Sequence, residues 1–464
     1  MSGLLISAAW RSSGKTSVAT GLLAGLVARG LRVQPFKKGP DYIDPQWLGL
    51  AAGRACRNLD PYLQGDAEVA ADWARHAGGC DLAMIEGNLG LHDGMDLDGG
   101  DSNAALARLL DVPVILVLDA RGMGRGAAAL LQGLALFDPG VRIAGVILNR
   151  VGGARHEGKL RAAIERFTRI PVLGAIGEDP RVGVRERHLG LVPAGELDDS
   201  RERVEGMREA VCARVDLDAI LAIARTAAPI VAPAPGPAPP APALRIGIAR
   251  DRAFGFYYPD DLDAFRACGA ELVTVDTFAD KRLAEVDGFF IGGGFPEVHA
   301  PALAANRALR ESLRLAIEDG LPVYAECGGL MYLARSLTWR GQTWEMVGAI
   351  PADIVMQAKP VGKGYVRLAE TGEHPWGAGE GTRIRAHEFH YSTLAHADPG
   401  LRFAWRMERG EGAGAGRDGI VHRNVLASYS HQRGVGGNDW VRRFLRHVAR
   451  VKAARADAAA FAAR

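Results

Sequence analysis

Between Thr226 and Leu244 the chain reads TAAPIVAPAPGPAPPAPAL, and no regular element can cross that run. Each proline fixes φ and removes an amide donor, so helix and sheet ladder are interrupted every second or third residue and an extended spacer is left. The 464 residues are thereby cut into 1–225, a linker over 226–243, and 244–464. Either flank is long enough to bury a core of its own.

Before the linker, short apolar runs bounded by Gly or Pro alternate with helix-like stretches, at 4–9, 32–36, 81–85, 113–118, 143–148 and 171–175. That rhythm predicts a parallel sheet flanked by helices. It resumes at 245–249, 271–275, 288–291 and 322–325, and less regular β-like segments run on to 424–429. The expected architecture is therefore two α/β domains.

The first run leads into Trp10-Arg11-Ser12-Ser13-Gly14-Lys15-Thr16 and an apolar helix, the setting of a phosphate-binding loop. There Gly14 and its neighbours would offer backbone N–H groups, Lys15 would neutralise the β/γ charge of ATP, and the Thr16 hydroxyl would ligate Mg²⁺. Ala9 stands where such loops usually carry glycine, so the turn into the loop must follow another path. Glu86 ends a later apolar run, where a Walker-B carboxylate sits. Lys37, Asp41 and Asp44 crowd a Gly-Pro turn at the carboxyl end of the second run, the edge where open α/β sheets bind ligands.

After the linker, Val323-Tyr-Ala-Glu-Cys327-Gly-Gly reads as a strand–turn–helix elbow that exposes a nucleophile, and a helix N-terminus would lower the Cys327 pKa. Gly293 and Gly294, following a strand, would supply oxyanion donors. His431, at the end of a late strand, is the favoured base, with His387 and His390 as rivals.

These segments carry a resemblance. SSGKT, then QPFKKGPDYIDP, RNLDPYL and MIEGNLGLHDG resemble the cobyrinic acid a,c-diamide synthase family, hydrogenobyrinic acid-specific members included, within the dethiobiotin-synthetase-like P-loop group. GGGFPE, ECGGLMYL and ASYSH resemble a class I glutamine amidotransferase domain. The resemblance implies that Thr16, Asp44 and Glu86 hold Mg²⁺, that Lys37 bridges the γ-phosphate and a substrate carboxylate, and that Asp41, Tyr42 and Asp93 orient the corrinoid. It also puts Asn149 on the adenine ring, the segment 186–191 near the substrate, and ATP, L-glutamine and a corrinoid as partners, two carboxylates being amidated per molecule. Many class I glutaminases carry Glu two places after the histidine. Here Arg433 stands there, which leaves the acid of the triad open, Glu388 being one alternative.

Charge narrows the classes. Lys+Arg 56 against Asp+Glu 54 gives +2, with no basic field for nucleic acid or anionic lipid. No apolar run is long enough to span a bilayer. Met1–Trp10 reads as a first strand and not a leader, five scattered cysteines indicate a reducing cytoplasm, and the tail from Arg442 reads as a solvated helix. A homodimer is left open. Two rival readings are a partitioning-type ATPase switch, which gives Cys327 and His431 no role, and amidation of another tetrapyrrole such as nickel-sirohydrochlorin or a later corrinoid.

Overall fold

A computed structural model of the chain describes residues 2–183, 186–187, 190–229, 231 and 240–462. Residues 230 and 232–239 of the Ala/Pro run lie outside the described residues, as do His188 and Leu189 of the segment expected near the substrate. The chain forms two compact units, Met1–Pro235 and Gly236–Arg464.

In the first unit β1 (Ser2–Ala8), β2 (Val33–Lys38), β3 (Arg57–Leu59), β4 (Leu82–Glu86), β5 (Val114–Asp119), β6 (Ile143–Val151) and β7 (Val172–Gly177) make one sheet. The order is β3-β2-β4-β1-β5-β6-β7, every pair parallel. β2, β4 and β5 are buried along their whole length; β4 and β5 read as apolar runs without alternation up to their terminal acids Glu86 and Asp119, whereas β2 buries Gln34, Lys37 and Lys38 as well. The chain leaves β1 toward β2 and β3 and later returns to build the other side, which opens a crevice at the carboxyl ends beside β1. Register sets Ile6 and Lys37 level with Glu86, and Asp119 level with Asn149. Helix α1 (Lys15–Ala28) follows β1 and is buried through most of its length. A Cβ at Gly21 would lie 2.6 Å from the Met207 carbonyl oxygen, so glycine there permits close packing against the helix Ser200–Cys212.

The second unit carries a nine-stranded mixed sheet. Ala270–Val275, Leu244–Ala249, Gly288–Ile291, Val323–Glu326 and Val425–Ser428 are parallel neighbours in that order. Arg417–His422, Arg402–Arg409, Gly362–Glu370 and Arg383–His390 extend the sheet antiparallel. A four-stranded sheet stands apart from it. The C-terminal helix Trp440–Ala462 corrects the expectation of a solvated tail: Trp440, Val441, Phe444, Leu445 and Val448 lie in the core with Phe265 and Tyr324. Their spacing marks one helical face, while Arg442, Arg446 and the later, Ala/Arg-rich turns are exposed.

Candidate functional site

Each unit gathers chemistry at the carboxyl edge of its parallel strands. In the first, the turn after β1 is left-handed at Ser12 (φ 62°) and Gly14 (φ 86°), which is the path taken without a glycine at Ala9. The turn delivers Lys15 and Thr16 into a cleft of about 850 Å³ whose walls also include Lys37, Asp44, Glu86 and Asn149. Lys15 Nζ donates to the Leu89 carbonyl at 2.6 Å. Burial, reinforced by Lys37, lowers its pKa to about 8.

Thr16 Oγ1 donates to Glu86 Oε1 at 2.6 Å and lies 3.3 Å from Asp44 Oδ2. Lys37 Nζ sits 2.6 Å from Asp44, 3.3 Å from Glu86 and 3.9 Å from Asp41. Burial alone would depress Lys37, but the carboxylates of Asp44, Glu86 and Asp41 outweigh it and hold the ammonium charged. The carboxyls divide. Burial raises Glu86, and burial with the neighbouring Asp44 charge raises Asp41 to about 7. Asp44 is lowered despite burial because Lys37 holds it.

Glu86 Oε2 is buried and has no hydrogen-bond partner. An orphaned carboxylate oxygen beside a hydroxyl and a second carboxylate is a hard-oxygen donor set, and it fits Mg²⁺ completed by phosphate and water.

The residues expected around the substrates separate. Asp41 lines the cleft, whereas Tyr42 is buried and Asp93, exposed, accepts from the Gly90 amide; neither of these two is among the lining residues. Asn149 lines the cleft, but its Nδ2 donates to the Ser13 carbonyl at 2.9 Å and its Oδ1 accepts from the Arg150 amide at 3.0 Å. Its amide clamps the loop. Arg150 donates to the Ser12 carbonyl and to Asp119, which also takes Arg121. Sequence reasoning passed over this cluster, since its three residues are scattered over two strand ends. Leu191, the last residue of the segment expected near the substrate, also lines the cleft.

In the second unit the register Ala325↔Ala427 and Glu326↔Ser428 brings the elbow and the late strand out side by side. Cys327 has φ 47° and ψ −99°, the strained turn expected of a nucleophile elbow. Its amide donates to the Ser428 carbonyl at 2.6 Å. A Cβ at Gly328 would lie 3.0 Å from the Gly294 nitrogen, and one at Gly293 would lie 2.6 Å from His431 Cε1. The glycine pair, the elbow and His431 therefore meet at one place.

The expected lowering of the Cys327 pKa is overturned. Burial, with the charges of Glu297, Glu326 and Asp418, pushes the thiol up, and the following helix, Gly328–Leu333, spans only six residues. A proton must leave the thiol for an adjacent base before it attacks.

His387 and His431 stack with centroids 4.9 Å apart, and their backbones exchange two hydrogen bonds. His390 stacks on Tyr429 and lies 3.6 Å from Glu388. The Glu388 carboxylate takes the amides of Glu411 and Gly412 at 2.8 Å each, and Arg433 pairs with Asp260 at 2.8 Å. His431 Nδ1 instead faces Glu326 Oε2 at 3.2 Å. The sequence signal for Glu326 was an acid ending a buried strand directly before the cysteine.

Known proteins agree with both halves. Residues 12–191 match the family described as the CobQ/CobB/MinD/ParA nucleotide binding domain, and residues 245–435 match the CobB/CobQ-like glutamine amidotransferase domain. A cobyrinate a,c-diamide synthase of Magnetococcus marinus is 48% identical over 94% of this chain and 95% of its own. Enzymes of the same name from Methanosarcina acetivorans and Listeria monocytogenes are 40% and 41% identical, over 98% and 93% of this chain and 96% of each of theirs. With a nucleotide cleft in one unit and a cysteine elbow in the other, the chain belongs to the cobyrinate a,c-diamide synthase family.

Proposed function

We propose that the protein amidates the a and c acetate carboxylates of hydrogenobyrinic or cobyrinic acid in cobalamin synthesis, consuming ATP and glutamine. The observation that carries the reading is the cluster of Thr16, Lys37, Asp44 and Glu86 under a phosphate-binding loop, in a chain that also holds a strained cysteine elbow.

In the second unit Cys327 gives its proton to His431, and its sulfur attacks the glutamine amide carbon. The amides of Gly293 and Gly294 are the proposed donors to the oxyanion. The C–N bond breaks, the nitrogen takes the proton from His431, and ammonia leaves a glutamyl thioester that water hydrolyses to glutamate. In the first unit a substrate carboxylate oxygen attacks the γ-phosphorus of ATP and ADP departs. Lys15 and Lys37 hold the phosphate oxygens and the carboxylate in line. Mg²⁺, held by Thr16, Asp44 and Glu86, would neutralise phosphate charge. Ammonia then attacks the acyl phosphate and phosphate leaves, one ATP and one glutamine being used per amide.

Asp41, Tyr42 and Asp93 are the proposed corrinoid contacts and Asn149 the proposed neighbour of adenine. The proposed boundaries are 1–225 for the ligase, 226–243 for the linker and 244–464 for the glutaminase. Five free cysteines support a cytoplasmic setting, and a homodimer is an expectation for sedimentation equilibrium to test. Among the described residues no helix is long and apolar enough to cross a membrane.

The test is to incubate the protein with Mg-ATP, glutamine and either acid and to follow product mass. Two carboxylate-to-amide conversions on one of them are expected. No conversion of either, with glutamine or with free ammonia, would reject the corrinoid reading.

A further inference from the structure

With Arg433 at the place where many class I glutaminases carry the triad acid, His431 still needs a group that fixes its ring and tautomer. Its Nδ1 lies 3.2 Å from Glu326 Oε2, and both side chains are buried. The other oxygen of that carboxylate is committed: Glu326 Oε1 accepts from Tyr324 Oη at 2.7 Å and from the Gln432 amide at 2.9 Å. Gln432 Nε2 in turn donates to Tyr324 Oη at 2.9 Å, which aims the tyrosine proton at Glu326. The acid is thus gripped from strand Val323–Glu326 and from the residue after His431. The competing acids are engaged elsewhere: Glu388 by two amides and His390, and Asp418 by the Gly419, Tyr429 and Ser430 amides at 2.8–3.1 Å.

We infer that Glu326, the residue directly before the nucleophile, is the positioning acid for His431. The inference rests on the reading of Cys327 and His431 as the glutaminase pair. Glu326 accepts the Nδ1 proton, which leaves Nε2 unprotonated and able to take the proton from Cys327. The nucleophile and the acid that orients its base therefore come from one dipeptide, locked by the elbow.

The geometry makes Glu326→Gln informative. Tyr324 and the Gln432 amide are both donors and select the glutamine oxygen, so the new NH₂ group faces His431 Nδ1 and drives the ring proton onto Nε2. Glutamate release by the full-length protein should fall about 10²–10⁴-fold, as expected for a triad forced into the wrong tautomer. The loss should sit in kcat, with KM for glutamine within about twofold. Glu326→Asp, which keeps a carboxylate, should recover part of it. Tyr324→Phe deletes one donor to the same acid without a change of shape and should lose about 3–10-fold, so the inference stays open to test even if Glu326→Gln does not fold. Glu388→Gln should stay within about threefold of the unaltered protein.

Glutamate release within threefold of normal in Glu326→Gln, or in Tyr324→Phe where Glu326→Gln does not fold, or an equal loss in Glu388→Gln, would overturn the inference. Cys327→Ala separates the two levels: if it leaves glutamate release intact, the glutaminase reading itself fails and not only the role of Glu326.

Discussion

The two sites solve opposite electrostatic problems at equivalent edges of their sheets. The cleft of the first unit crowds Lys37 with three acids and leaves Glu86 Oε2 buried without a partner, an arrangement that the proposed phosphate and cation would complete. The elbow of the second unit is complete as it stands. Cys327 is held in a strained backbone turn, both carboxylate oxygens of Glu326 face partners, and the thiol is kept protonated by burial. One site stores unsatisfied charge and the other stores backbone strain. The first should respond most to pH and ligand, the second to single changes of shape.

The sharpest division between them is chemical. Cys327→Ala should reduce glutamine-driven amidation by at least about 10⁴-fold, while amidation driven by ammonium stays within about twofold, read by product mass. Equal loss of both would erase the proposed division of labour.

Lys37→Met is the counterpart. It should lower glutamine-driven and ammonium-driven amidation alike, by about 10²–10³-fold, since it removes a charge aimed at the reacting groups. Because it strands buried carboxylates, it should also destabilise the nucleotide-free protein by about 3–5 kcal/mol in a denaturant titration. A loss confined to the glutamine reaction would break the comparison.

Gly293→Ala tests shape in the second site. A Cβ 2.6 Å from His431 Cε1 must displace the ring, and a shift of that kind should slow glutamate release about 10–10²-fold with ammonium-driven amidation unchanged.

The smallest expected effect is a pH dependence confined to the first site. Asp41 has its pKa raised from 3.8 to about 7, so the folded state keeps a proton that the unfolded state loses in between. Stability from this group is present below the lower value and falls as pH rises toward 7. Without nucleotide, the difference in denaturation midpoint between Asp41→Asn and the unaltered protein should therefore grow in favour of the variant from pH 4 to 7. A flat difference would show that Asp41 is not held protonated.

Much of this was legible because it is local. A strand, a Gly14-Lys15-Thr16 turn and a helix are contiguous, and Lys37 and Glu86 each end an apolar run, so strand ends predict one cleft. The partner of His431 was not, because the spacing rule looks two residues downstream and meets Arg433, while Glu326 comes from a strand some hundred residues away whose pairing is a matter of register. The raised Cys327 pKa was hidden for the same reason: a helix start is visible in sequence, but the burial and the three acids that outweigh it are assembled only by folding. β3, three residues long, and the antiparallel half of the second sheet carried too little periodicity to be placed.

The most direct measurement supplies glutamine labelled with ¹⁵N in its amide, together with unlabelled ammonium, Mg-ATP and the corrinoid acid, and weighs the product. The account predicts a diamide labelled at both positions from the unaltered protein, and an unlabelled diamide from Cys327→Ala. Labelled product from Cys327→Ala, or no amide from either protein, would contradict it.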